Sequence, residues 1–403
     1  MISQSSLRLA RAARGLALPA QNAGMAVLVL AVLICAGTGC RRQSGQKQGV
    51  RPRTLRDVPA GRLAYQFSAD TDAPANAAAT DASQPLASIQ KDFDTRRPDD
   101  ALLRTAISPD RQRALAVYAT GEDQANEFRI DLYGVAGDFQ RHVTPAGLAV
   151  VFAPVADWSP DGNFIAFIGY KSSTPQPSPT PLEDSVPGIV PGIAPGIPTA
   201  SPSPLQDSAP TVRLFNTEQV YVCSRDGFDL KPLTSREGLI YFFLNWSPDS
   251  HAIVALACKE NEWRERPLLP AGRPRLIGID GGERLLDDGL TDVLPVWSPD
   301  ASKVATAFDT NVRIYDALTN SPTQADIELR DQLMTASRAY DDKARITNTA
   351  SGDSFLPIVT LSWQQPETIH LQTGFVRNFE NEQVRNLMRW HLLRLSAQAA
   401  LLN

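Results

Sequence analysis

The chain has 403 residues, 43% of them hydrophobic, with 39 basic and 44 acidic side chains and a formal net charge of −5. That length and apolar content can bury a large core, and the acidic balance argues against a nucleic-acid surface. Large alternating strand–helix segments are absent, so one all-β domain is enough for the chain.

Residues 1–39 read as a targeting segment and stand outside the fold. Arg8, Arg11 and Arg14 form a basic start, Met25–Ala36 is apolar, and the small residues Gly37, Thr38 and Gly39 lead to Cys40. The continuous apolar run, about 15 residues, is short of the roughly 20 that span a bilayer core. The arrangement resembles the bacterial lipoprotein signal, cleaved before a Cys that carries the lipid, with Gly37 where that signal usually has Leu. The resemblance implies a signal peptide over 1–39 and lipid on Cys40. It also implies a lipidated tether over 40–56 and a domain at a membrane of the bacterial cell envelope, in the periplasm or on the outer side. Arg41, Arg42, Lys47, Arg51, Arg53 and Arg56 make the tether polar and basic. Without Arg8, Arg11 and Arg14 the 39 basic residues become 36 against 44 acidic ones, a net charge of −8. Cys223 and Cys258 are expected as buried free thiols, although an export route permits a disulfide.

Residues 57–403 are organised by a repeat. Val58–Tyr65 looks like a worn first copy, while 69–100 are rich in Ala and Asp and lack two convincing strands. Ile107-Ser108-Pro109-Asp110 then returns as Trp158-Ser159-Pro160-Asp161, Trp246-Ser247-Pro248-Asp249 and Trp297-Ser298-Pro299-Asp300. An alternating apolar run follows each copy: Ala114–Tyr118, Phe164–Ile168, Ala252–Ala257 and Val304–Phe308. The serines are 51, 88 and 51 residues apart, and the middle gap falls to about 50 once a Pro-rich stretch is set aside. Pro presets φ and Asp bonds the nearby backbone, so each phrase is a turn between two strands. A third strand (Phe128–Gly134, Gln219–Cys223, Asn311–Tyr315) and a short fourth (Gln140–Thr144, Leu230–Thr234) complete a unit. Ser362-Trp363-Gln364-Gln365-Pro366 precedes the strand Thr368–Gln372, and Met388–Leu395 is a final strand.

Four antiparallel strands in about 50 residues make one blade of a β-propeller. Six blades are expected, two of them degenerate, with five, or six with the N-terminal strand completing the last sheet, as alternatives. The phrases resemble the WD-like repeat of the TolB family and of prolyl-oligopeptidase-type propellers, over about residues 101–320. The three Trp are expected to pack between blades rather than stack on a ligand, and the repeated Asp to shape turns rather than hold metal.

Two insertions interrupt the repeat. Residues 173–210 contain 11 of the 31 Pro, with Pro187-Gly-Ile-Val-Pro191-Gly-Ile-Ala-Pro195 at the centre, and are expected to be an extended or disordered loop between second and third strands. Residues 316–355 are expected to hold a helix started by Ser321-Pro322, with Leu329, Leu333, Ala336 and Tyr340 on one face, and 323–352 to be removable without unfolding. If the helix follows a short fourth strand near 323–328 it lies in an inter-blade loop, and both insertions then emerge on the propeller side opposite the Pro-Asp turns.

Catalytic and metal sites are not expected. His142, His251, His370 and His391 fall in different units, without zinc-ligand spacing, and the nucleophile-elbow and phosphate-loop motifs are missing. The expected function is a membrane-anchored, non-catalytic propeller that needs no cofactor. It binds a protein or peptidoglycan-associated envelope partner through the loop face carrying the insertions. The alternative is a propeller enzyme acting on saccharides with carboxylates near the central channel.

Overall fold

The computed structural model describes residues 54–75, 85–121, 127–171, 217–266, 270–344, 357–374 and 388–397. Cys40, the signal segment and the Pro-rich stretch 173–210 lie outside these residues. Five antiparallel sheets follow one another along the described chain. The first is β2 (Ala101–Ile107), β3 (Arg113–Ala119), β4 (Arg129–Gly134) and β5 (Phe139–His142). In the second, β6 (Leu148–Val151) and β7 (Asp157–Trp158) both pair with β8 (Phe164–Lys171), followed by β9 (Gln219–Ser224) and β10 (Lys231–Pro232). The third is β11 (Leu239–Trp246), β12 (Ala252–Lys259), β13 (Arg273–Gly278) and β14 (Glu283–Leu285). The fourth is β15 (Val296–Trp297), β16 (Lys303–Phe308), β17 (Asn311–Asp316) and β18 (Gln324–Glu328). The fifth takes β19 (Ile358–Gln365), β20 (Thr368–Thr373) and β21 (Arg389–Ala397), and its outer strand is β1 (Leu63–Ser68) from the other end of the chain.

The repeated apolar runs are continuous because both of their faces are buried. Along β8, Ile165 and Phe167 pack toward the first sheet while Ala166 and Ile168 pack toward the third. Apolar cores lie between sheets one and two, two and three, three and four, and four and five. First strands of neighbouring sheets touch, β2 with β7 and β15 with β19, so the sheets converge on an axis along their first strands. The fold is a β-propeller.

The described residues build five sheets, not six. Val58–Tyr65 starts no blade: Leu55–Asp57 and Ala60–Arg62 are 3-10 turns, and β1 runs antiparallel to β21 from Leu63↔Ala397 to Ser68↔Leu392. Residues after β1 supply the helix α1 (Ala87–Arg96) instead of strands. Its Ile89 and Phe93, four apart on one face, pack on Ala114, Ala116, Tyr118 and Tyr133, the face of the first sheet turned away from the second. Each such burial is worth about 1.5–3 kcal/mol. Arg97, just past the helix, bonds the buried Asp131 carboxylate at 2.6 Å and lies over the rings of Phe93, Tyr118 and Phe139.

The boundaries at residues 56 and 316 also move. Leu55 is part of the core between sheets four and five, so the domain has begun before residue 57. Gln324–Glu328 is the fourth strand of its sheet, and the helix begins later, as α3 (Arg330–Ala344). Ser321 and Pro322 sit in the turn before β18. Ile327, Leu329 and Leu333 are buried, so 323–352 is not a removable segment.

Two buried polar networks hold β1. At its start, Asp316 Oδ1 accepts the Ala60 N–H at 3.0 Å and faces Lys303 Nζ at 3.5 Å. Asp316 Oδ2 accepts the Thr323 N–H and hydroxyl at 2.9 and 2.6 Å, and Thr323 Oγ1 accepts the Gly61 N–H at 2.9 Å. Removing one partner of such a buried pair costs about 3–5 kcal/mol. Past its end, Arg389 bonds Asp70 at 2.6–2.7 Å and the Ala336 carbonyl at 3.1 Å, its guanidinium 4.6 Å from the Tyr340 ring centre. The Asp70 N–H donates to His391 Nδ1 at 3.2 Å, so Nε2 carries the proton and faces Thr373 Oγ1 at 3.1 Å.

Burial, reinforced by Arg389, pushes His391 down to about 4. The unfolded chain, with His near 6.5, therefore binds more protons between these values. Stability should fall as pH drops from 6.5 to 4, by on the order of 3 kcal/mol. In urea titrations His391→Gln, which can keep both hydrogen bonds, should lose this part of the pH dependence; an unchanged slope would contradict the assignment.

Candidate functional site

The repeated phrase makes one turn four times. Ser159 Oγ donates to Asp161 Oδ1 at 2.6 Å and accepts the Phe164 N–H at 2.9 Å, while Asp161 Oδ1 accepts the Asn163 N–H at 3.0 Å. Ser108–Asp110, Ser247–Asp249 and Ser298–Asp300 repeat the bond at 2.6, 2.6 and 2.7 Å. The residue after each Asp is left-handed: Arg111, Gly162, Ser250 and Ala301 have φ of 57°, 71°, 63° and 59°. The Ser108 hydroxyl and the Gln112 N–H lower the Asp110 pKa. For Asp161 and Asp300 burial acts upward, and the Ser and backbone bonds together outweigh it, so both end lowered. These carboxylates are spent on backbone donors.

The tryptophans close the seams between sheets. Trp158 Nε1–H donates to the Ala106 carbonyl at 2.9 Å, and Trp297 Nε1–H to the Asn245 carbonyl at 3.1 Å. Each acceptor directly precedes the first residue of the previous phrase. By that rule Trp246 would bond the Asp157 carbonyl, yet its indole N–H is buried with no partner among the described residues. The ring instead stacks on Phe164, centroids 6.4 Å apart at 21°.

The cause lies in the second sheet. Every first strand departs from a regular ladder four residues before its phrase position. Leu103, Phe242 and Val359 are bulged out of β2, β11 and β19. Val293, ahead of β15, is held by the hydroxyls of Thr291 and Thr306. In the second sheet the departure widens into a 3-10 turn, Ala153–Val155, entered through a left-handed Phe152 at φ 56°. Bulges re-aim side chains: Leu103 becomes 43% exposed, whereas Phe242 lies under Trp263 of α2 (Glu260–Glu265), which also touches Phe152. The Glu262 carboxylate grips Arg273 with two bonds of 2.7 and 2.8 Å and steadies α2.

Where the 3-10 turn parts sheets two and three, a cavity of about 260 Å³ opens among Pro154, Asp157, Pro160, Phe243, Asn245 and Trp246. Asp157 is exposed, but protein crowds its carboxyl, and burial raises its pKa against the pull of the Trp158 N–H and Arg104. Arg104, its own pKa lowered by burial, holds the turn by donating to the Ala153 and Pro154 carbonyls.

The remaining sequence candidates take structural places. His142 bonds Asp131 at 2.9 Å, His251 folds onto its own Asp249 turn, and His391 braces β1. Cys223 and Cys258 are buried and unbonded, and burial pushes both thiols up to about 12. Among the described residues no three His, Cys, Asp or Glu side chains gather as metal ligands, and no helix is long and apolar enough to cross a membrane. Sequence reasoning missed Arg104 and Asp157; no other copy of the phrase has Arg three residues before it or Asp one residue before it, so the repeat gave no signal for them.

No family model and no curated protein matches this chain. Among solved structures it is similar, at 10% identity and a TM-score of 0.36, to an oligogalacturonate lyase in complex with manganese, over 73% of this chain and 65% of that one. It thus spans just under two thirds of the lyase's length. A protein described as TolB from Agrobacterium tumefaciens matches at 14% identity and 0.31, over 73% of this chain and 76% of that one. The propeller domain of the Trilobed protease from Pyrococcus furiosus matches at 12% and 0.33, over 72% and 68%. The class rests on the chain's own five sheets.

The unequal indoles give a direct check. Trp158→Phe and Trp297→Phe should each lose about 1 kcal/mol of stability beyond the packing change, because each removes an indole-to-carbonyl hydrogen bond. Trp246→Phe should lose less than either by chemical denaturation. A loss as large as that of Trp158→Phe would mean the Trp246 N–H is bonded.

Proposed function

We propose that this chain is a membrane-anchored, non-catalytic, TolB-like propeller that binds a protein or peptidoglycan-associated partner of the bacterial cell envelope. It does so through the end where its long connections emerge. One observation carries the reading. The connections between second and third strands (120–128, 172–218, 260–272 and 374–388) and the inter-sheet connection 329–357 all leave the same end of the sheets. The opposite end has the Ser-Pro-Asp turns and short links such as 135–138 and 279–282. Binding segments gather on connections that a rigid scaffold positions. Among the residues lining the cavity between sheets two and three, Asp157 is the single carboxylate, where glycoside hydrolysis uses a pair.

Gly169 pairs with Gln219 across β8 and β9, so a short Gly-Ser link can replace 173–214. That variant should keep its denaturation midpoint and lose the partner captured from solubilised envelope by the unaltered chain. Unchanged capture would overturn the reading. For the anchor, radiolabelled palmitate should label the unaltered chain and not Cys40→Ala; equal labelling would remove it.

A further inference from the structure

Two unsatisfied donors sit near the 3-10 turn of the second sheet, one in the third sheet and one in the first. The Trp246 Nε1–H and the Arg104 Nε–H are both buried without an acceptor. Trp246 lines the 260 Å³ cavity, and Arg104 grips Pro154, which also lines it. Asp157 of the second sheet and Asn245 of the third also line the cavity, and both are exposed. Donors without acceptors beside a crowded carboxylate call for a group that both donates and accepts, which is what a hydroxyl does. Arg104 and Asp157 offset one another's charge, so the cavity favours a neutral occupant over a cation. Pro154, Pro160 and Phe243 supply apolar surface for the C–H faces of a small ring, and the space far exceeds the roughly 30 Å³ of one water.

We propose that this cavity binds one ring of a neutral saccharide, whose hydroxyls bond Asp157 and Asn245 and offer an oxygen to the Trp246 donor. The Trp246 donor is buried within a lining residue, so the ring eases the two sheets slightly apart as it enters. The site is at the end opposite the long connections and does not depend on the envelope-partner reading.

The test uses the full chain with ¹⁵N-labelled tryptophan, titrated with N-acetylglucosamine and separately with acetyl-arginine amide. Trp246→Phe identifies the Trp246 indole resonance. The sugar should move that resonance saturably. By calorimetry, Trp246→Phe and Asp157→Asn should each weaken sugar binding about tenfold. Because Trp246→Phe removes an unpaired donor, it stays folded and remains decisive if Asp157→Asn does not fold. An indole signal that the sugar leaves unmoved, a response to the arginine amide alone, or unchanged affinity in Trp246→Phe would each overturn the proposal.

Discussion

A sheet in this molecule cannot bury its faces alone, so the fold depends on what closes the series at its two ends. At the far end closure is topological, and one carboxylate anchors the start of the closing strand. Asp316 ties the Ala60–Gly61 backbone to the fourth sheet, directly and through Thr323, and so delivers β1 to the edge of the fifth. The same carboxylate neutralises Lys303, which has almost no contact with water. Losing Asp316 would release the strand and strand the charge together. At the near end the free face of the first sheet is covered by α1, an amphipathic helix where a repeat-built ring would have placed strands.

This arrangement separates the two ends of the propeller chemically. The Ser-Pro-Asp end is tightly bonded: hydroxyl, carboxylate and backbone satisfy one another four times, and short links leave little to vary. At the other end the chain is free to grow, because lengthening a connection between paired strands costs little closure entropy. Helices α2 and α3 and the Pro-rich insertion all exploit that freedom. Growth is not wholly peripheral, however. Trp263 folds back onto the bulged Phe242, and Leu329 and Leu333 enter the core, so those elaborations are also part of the framework.

The cavity between sheets two and three has a different origin. It is a fault in the repeat, lying where a bulge common to the first strands expands into a 3-10 turn and next to a tryptophan that misses its expected carbonyl. Its polar groups are therefore left over from packing rather than assembled from a motif. Pattern reading over the phrases points elsewhere for that reason: the four Asp in the phrases are saturated, while Asp157, one residue outside, is not.

The sequence by itself determined the blade, because period-two runs, Pro-set turns and a recurring Trp are local properties that survive without tertiary context. It likewise determined which strands flank the 173–210 insertion, since Phe164–Ile168 and Gln219–Cys223 are legible on either side. Only the tertiary structure decided the number of sheets. Val58–Tyr65 has the composition of a strand in either count, and its partner, β21, lies more than 300 residues away. Residues 323–328 read as insertion or as blade until Val312↔Ile327 pairing places them in the sheet. The unpaired Trp246 was illegible for the same reason. Whether an indole finds its carbonyl is fixed by the neighbouring sheet, and no spacing within its own repeat records it.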